Sequence, residues 1–276
     1  MSTSFNLVSI FGIPIRIHIS LIVLLAIVGV TAWSLGGLEG VFLNIALMGA
    51  VFASIALHEL AHSLVAIRKG CRVREITLMF IGGAAQMEEI PREPIDEIQV
   101  AAAGPLFSIA LGALCWFGGS WLSLRPFLPP LYGGRLLNML QLAGQINFTL
   151  ALFNLLPAFP MDGGRIFRAL MSRKIGILPA TFVASRLGRV GAIVMGIVGC
   201  HKVFWDYELQ WWGLIVIAVF LFRAAGREFD IVLRQELTDG FQTLTDWAMD
   251  PSPFEPPAKG VDDEVKISPP PYDRKR

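Results

Sequence analysis

The chain has 276 residues, 54% of them hydrophobic and only 16% charged, with a mean hydropathy of +0.59. A soluble domain carries about a quarter charged residues, so this composition excludes an ordinary soluble globule and points to a polytopic membrane protein. The formal net charge of +1 gives no electrostatic case for nucleic acid, and three cysteines with no CxxC spacing (Cys71, Cys115, Cys200) read as packed or idle thiols, not a disulfide or metal set.

A membrane-spanning helix needs about 20 mainly apolar residues. Six stretches qualify: Ile17 to Trp33, Val41 to Ile67, Ile98 to Leu122, Leu136 to Pro157, Leu187 to Phe204 and Leu209 to Ala225. The first follows a single basic residue, Arg16, and lacks a convincing small-residue cleavage site. A retained span is therefore expected, not a cleaved signal peptide. Between the second and third spans, Val73 to Met87 reads VREITLMFIGGAAQM, β-branched and apolar until Gly82-Gly83. It is too short to cross as a helix and reads as a short re-entrant β segment. Such backbone is tolerated at membrane depth only against protein or a wet cavity. Trp205, Trp211 and Trp212 mark an interface between the last two spans. After Ala225 the pattern becomes an amphipathic helix.

The expected fold class is thus an all-α polytopic membrane protein of about six transmembrane helices, with one re-entrant β segment between the second and third. Its expected organisation is a six-span core over 1–225, an amphipathic cytoplasmic helix over 226–249 and a Pro-rich disordered tail over 250–276. Basic residues collect after the even-numbered spans: Arg68, Lys69, Arg72, Arg74 and Arg92, then Arg165, Arg168, Arg173, Lys174 and Arg186, then Arg223, Arg227 and Arg234. The positive-inside rule places both termini in the cytoplasm, and the end of the second span near that side. The expected location is a bacterial cell (inner) membrane.

That second span carries His58-Glu59-Leu60-Ala61-His62. Ionisable residues are costly in a bilayer and mark function by default. His-Glu-x-x-His on a helix is the metal-binding half of a zinc protease. The four-residue spacing projects both imidazoles from one face, within reach of one Zn²⁺, and Glu59 sits beside them. A catalytic zinc takes three protein ligands and keeps one position open, so a third ligand must come from elsewhere. The best candidate is Asp162, in Asn154-Leu155-Leu156-Pro157-Ala158-Phe159-Pro160-Met161-Asp162-Gly163-Gly164-Arg165, where two prolines break the fourth span. Taken alone, Asp162 reads equally as a helix cap; a histidine pair lacking its third ligand favours ligation.

HELAH at His58 to His62 and NLLPAFPMDGG at Asn154 to Gly164 resemble the motifs of the site-2 proteases, intramembrane zinc metalloproteases of the M50 type. FGIPIRIHIS from Phe11, GGAAQM from Gly82 and AAAGPLFS from Ala101 add weaker support. The resemblance runs from Phe11 to about Leu170. It implies one Zn²⁺ per chain held by His58, His62 and Asp162, with Glu59 as base and Asn154 at the substrate or oxyanion. It also implies a substrate that is itself a single-span membrane protein in the lipid bilayer. Ser108 stands where the family often has Asn, which weakens any polar role there, and Met161 replaces the usual Leu with little change of volume. The loop after the second span is too short for a PDZ domain, and the tail is too short for paired CBS modules.

A buried transmembrane substrate must unwind to expose a carbonyl, and each freed backbone group then needs a partner. The Val73 to Met87 segment can provide them by β-augmentation, with Gly82 and Gly83 allowing close approach. Asn147, two turns before Asn154, shares its helix face and is a candidate for substrate gating or helix packing. His18 and His201 read as interfacial residues, and Glu88 and Glu89 as a solvated loop face. The leading function is an intramembrane zinc endopeptidase. The alternative is a polytopic zinc or ion transporter using the same His/Asp cluster without proteolysis. A catalytically dead scaffold is disfavoured, since ligation alone does not require Glu59.

Overall fold

A computed structural model of the chain describes residues 4–80, 82–87, 93–123 and 130–249. Glu88, Glu89 and the tail over 250–276 lie outside the described residues. Among the described residues the fold is mostly helical with one small sheet: β1 (Ser4–Ile10), β2 (Ile13–His18), α1 (Ile19–Arg68), β3 (Val73–Met79), β4 (Gly82–Met87), α2 (Pro94–Ser123), α3 (Pro130–Asn154), α4 (Asp162–Ile175), α5 (Ile177–Phe204) and α6 (Trp212–Met249), the last preceded by a 3-10 turn over Leu209–Trp211. Among the described residues, three helices are long and apolar enough to cross a membrane: α1, α2 and α5.

α1 unites the first two expected spans. Gly37 breaks it with φ 59° and ψ −147°, a backbone conformation that glycine adopts without steric cost, so the element is two arms, 19–36 and 38–68. α3 stops at Asn154, ahead of Pro157 and Pro160, which cannot donate the amide hydrogen bonds that would continue it. α5 begins ten residues before the expected Leu187. α6 runs through Ala225 without interruption. The chain forms one compact unit to Leu233 and a separate unit from Arg234.

The all-α expectation needs one correction. The predicted re-entrant segment is a hairpin, β3 and β4, and it belongs to a four-stranded sheet of order β1-β2-β3-β4. β1 and β2 pair antiparallel through a two-residue turn at Phe11 and Gly12, both with positive φ, the geometry that matches the twist of a hairpin. β2 pairs parallel with β3 (Ile15 with Ile76, Ile17 with Leu78), with α1 as the crossover. A strand pairing that closes over a fifty-residue helix leaves no local trace in the sequence. The inward side chains Ile13, Ile15, Ile76 and Leu78 pack on Leu21, Phe52 and Leu60 of α1. An Arg16–Glu75 ion pair (2.8 Å) ties β2 to β3. This packing places β4 beside the His-Glu-x-x-His turn.

α2 and α3 approach closely through glycine. A Cβ on Gly112 would lie 3.2 Å from the Gly144 carbonyl, and one on Gly119 would press against Leu137 and Leu140. Small residues are how apolar helices pack where no hydrophobic effect drives them together.

Candidate metal centre

His58 and His62 lie one turn apart on the second arm of α1, both buried. Facing them on α2 is a stripe at four-residue spacing, Val100, Gly104 and Ser108, which a helix presents on one side. The His62 Nδ1 lies 2.7 Å from the Val100 carbonyl, and the His58 Nδ1 lies 2.9 Å from Ser108 Oγ. A carbonyl can only accept, so the His62 Nδ1 carries the proton and its Nε2 presents a bare lone pair. Metal-bound histidines are oriented in this way, the distal N–H held by a second group. Gly104 is required between these two contacts. A Cβ there would overlap His62 Nε2 and lie 2.6 Å from His58 Nε2.

Asp162 begins α4, directly after the proline-broken segment 155–161. Gly163 and Gly164 let α4 start against that segment; a Cβ at Gly163 would overlap the Leu155 carbonyl, and one at Gly164 would sit 2.6 Å from the Ala158 carbonyl carbon. The carboxylate Oδ2 lies 3.1 Å from both Nε2 atoms, which are themselves 3.1 Å apart. Three lone-pair donors converging in a closed triangle repel unless a cation sits among them. Donors 2.0–2.1 Å from a tetrahedral zinc stand roughly 3.3 Å apart, so donor set and spacing fit Zn²⁺. Among the described residues this is the cluster able to hold a metal.

The triad opens into a cavity of about 350 Å³, also lined by Glu59, Gly82, Gly83, Asn154, Arg165 and Phe220. A Cβ on Gly83 would come within 2.9 Å of Glu59 Cγ, so β4 lies against the glutamate with no side chain between. Asn154 reaches the cavity, with one amide hydrogen donated to the Leu150 carbonyl at 2.9 Å. Asn147 is placed elsewhere: it is buried between α3 and α1, donating to Ser54 Oγ and the Ala143 carbonyl (both 2.9 Å), one turn before His58.

Burial works to raise the Asp162 carboxyl, but its contacts with the His58 and His62 rings and the charge on nearby Arg165 hold it well below the usual carboxylate range. Burial likewise opposes charge on Arg165, yet Glu228, Asp162, Glu97 and Glu59 keep it protonated, above its ordinary value. Arg165 Nη2 lies 3.4 Å from Glu228 Oε1 on α6.

Sequence reasoning brought His58, Glu59, His62, Asp162, Gly82, Gly83 and Asn154 to one place. It passed over Val100, whose contribution is a backbone carbonyl and leaves no mark on side-chain identity. It also discounted Ser108, because serine stood where asparagine was expected; a hydroxyl can hold His58 equally well. Gly104 was legible as part of AAAGPLFS, but its reason lies in the neighbouring helix.

Comparisons with known proteins agree with this geometry. The family model described as Peptidase family M50 matches residues 46–127 and 131–198. A zinc metalloprotease of Methanocaldococcus jannaschii is 36% identical over 236 residues, covering 84% of this chain and 62% of that protein. The Rip3 protein of Mycobacterium tuberculosis is 33% identical over 241 residues, covering 83% of this chain and 59% of its own length. The chain thus spans about three fifths of the length of these curated relatives. A solved structure of the site-2 protease from Methanocaldococcus jannaschii superposes with a TM-score of 0.59 at 33% identity, covering 82% of this chain and 95% of that one. With its apolar helices, this is an integral membrane protein, and it belongs to peptidase family M50.

Proposed function

We propose that this chain is an intramembrane zinc endopeptidase that hydrolyses a peptide bond in or near the transmembrane helix of a single-span membrane protein. The observation that carries this reading is the closed donor triangle of His58, His62 and Asp162 with Glu59 in the same cavity. A zinc held there supplies Lewis acidity and makes water a nucleophile near neutral pH. Glu59 takes the proton from the attacking water and returns it to the amine nitrogen as the C–N bond breaks. Asn154 lines the cavity and has a second amide hydrogen to offer the developing oxyanion, an interaction worth about 2.7–4 kcal/mol in comparable sites.

β4 is an edge strand beside the cavity. An unwound substrate segment can add to it as a fifth strand, which gives its freed backbone groups partners. Gly82 and Gly83 keep that edge clear of side chains. Asn147 contributes by packing α3 on α1 beneath the site. The finer topology proposed is six crossings over 1–225 in a bacterial inner membrane, both termini cytoplasmic, followed by the amphipathic helix over 226–249 and the tail. The break at Gly37 supports it, since it divides one long apolar helix into two crossings.

The test is zinc content together with cleavage of single-span substrates by the full chain. Glu59→Gln is expected to keep about one zinc per chain and to lose cleavage. A polytopic zinc or ion transporter would instead carry ions unaffected by Glu59→Gln and cleave nothing, which would end the protease reading.

A further inference from the structure

The α2 stripe that orients both histidines continues one turn back, to Glu97. Glu97 is 6% exposed, and it meets Arg168 of α4, which is 1% exposed. Arg168 Nε donates to Glu97 Oε1 at 2.9 Å, and Nη2 donates to the same oxygen. Phe159, fully buried, lies under the guanidinium, 5.1 Å from ring centroid to Cζ. Arg168 Nη1 has no hydrogen-bond partner among the described residues.

A buried ion pair is a poor device for stability, because desolvating both charges offsets most of their attraction. One that also leaves a guanidinium nitrogen unpartnered is poorer still. What such a pair does well is fix register, since the arginine fork accepts few alternative geometries. The two helices it joins are those that matter to the donor triangle. α2 holds His62 through the Val100 carbonyl and His58 through Ser108; α4 begins with Asp162.

We infer that Glu97 and Arg168 are positioning residues for the metal centre: the pair locks α4 to α2 and so holds the Asp162 carboxylate at ligating distance from the two imidazoles. The inference rests on reading the triad as a zinc site. It makes the Glu97–Arg168 pair part of the metal's outer support, where substitutions in comparable sites cost about 10–100-fold in metal affinity or activity.

The experiment uses the full chain in detergent, loaded with zinc for chelator competition and with Co²⁺ for its visible d–d absorption. Glu97→Gln keeps the shape and removes the charge; Arg168→Met removes the fork; Arg168→Lys restores a charge without it. Expected are about 10–100-fold weaker zinc retention and a shifted cobalt band in Glu97→Gln and Arg168→Met, with partial recovery in Arg168→Lys. Asp96→Asn is the control: it lies on the same helix and breaks an outer Lys69–Asp96 pair (2.8 Å), and is expected to stay within about twofold of wild type. A merely structural pair would lower the melting temperature and leave the cobalt band of the folded fraction unchanged; that result overturns the inference. Should Arg168→Met not fold, Glu97→Gln decides alone. A wild-type chain that binds no zinc would sink the site reading itself, an outcome distinct from intact binding in every variant.

Discussion

The two arms of α1 are made of nearly the same material and meet different fates. Both are strongly apolar. In the first arm, 19–36, only Leu21 and Ala32 are buried among the described residues, while Val30 is 72% and Leu35 90% exposed. In the second, Phe52, Ser54, His58, Leu60, His62, Ser63 and Ala66 are buried. Past Ser20, which meets the Phe80 amide, the first arm's polar side chains stay within their helix, and several of the second arm's do not. Thr31 and Ser34 hydrogen-bond back to their own helix, at Ile27, Val28 and Thr31. Ser54 accepts from Asn147 on α3, and His58 and His62 reach α2 and α4. Hydrophobicity identifies a membrane helix but does not sort its inside from its outside, because lipid is as apolar as leucine. Polar groups that leave their own helix, and small residues that admit a neighbour, do the sorting.

The contrast is broken most severely at the donor triangle. His62→Ala is expected to strip the metal and lower cleavage by at least ~10³-fold, the several kcal/mol that Lewis-acid catalysis contributes; zinc content and single-turnover cleavage check it. Gly104→Ala should come close behind with no ligand altered, because its Cβ occupies the space at both Nε2 atoms. Gly112→Ala, crowded only by Phe148 and Gly144, should lower stability and keep its zinc. Equal zinc loss in the two glycine variants would show that general helix packing, not the local cradle, is what matters. Ser108→Ala removes the partner of His58 Nδ1 and is expected to weaken zinc retention by about 10–100-fold, read by chelator competition.

These effects also mark what the sequence could disclose. His58, Glu59, His62 and Asp162 were legible because their chemistry is in the side chain and an apolar span makes each of them conspicuous. The proline break before Asp162 was legible for the same reason: Pro157 and Pro160 cannot continue α3. The sheet was half legible. β3 and β4 announce themselves by composition, whereas β1 and β2 depend on a turn at Phe11-Gly12, which lacks the usual Asn-Gly signature, and on a partner strand some sixty residues away. Val100 acts through its backbone. Arg168 counted only toward the basic residues after the fourth expected span and Glu97 drew no reading; the fold buries them together. What was missed shares one property: its meaning lies in which helix or strand stands opposite, and no local pattern records that.

The smallest expected effect probes the contrast most directly. Ser54→Ala and Thr31→Val each delete one hydroxyl from the same helix. Asn147 is buried, its Oδ1 already has no partner among the described residues, and Ser54 accepts one of its two amide hydrogens. Removing that acceptor strands a buried donor, at a cost of about 1–3 kcal/mol. Thr31 is exposed and bonds only to carbonyls of its own helix, so its replacement should change stability by no more than about 0.5 kcal/mol. Thermal midpoints of the two variants in one detergent should therefore differ, with Ser54→Ala the lower, while both retain zinc. Equal midpoints would mean that a hydroxyl that also bonds across to a second helix counts for no more than one bonded only within its own, and the sorting rule drawn from the two arms would fail.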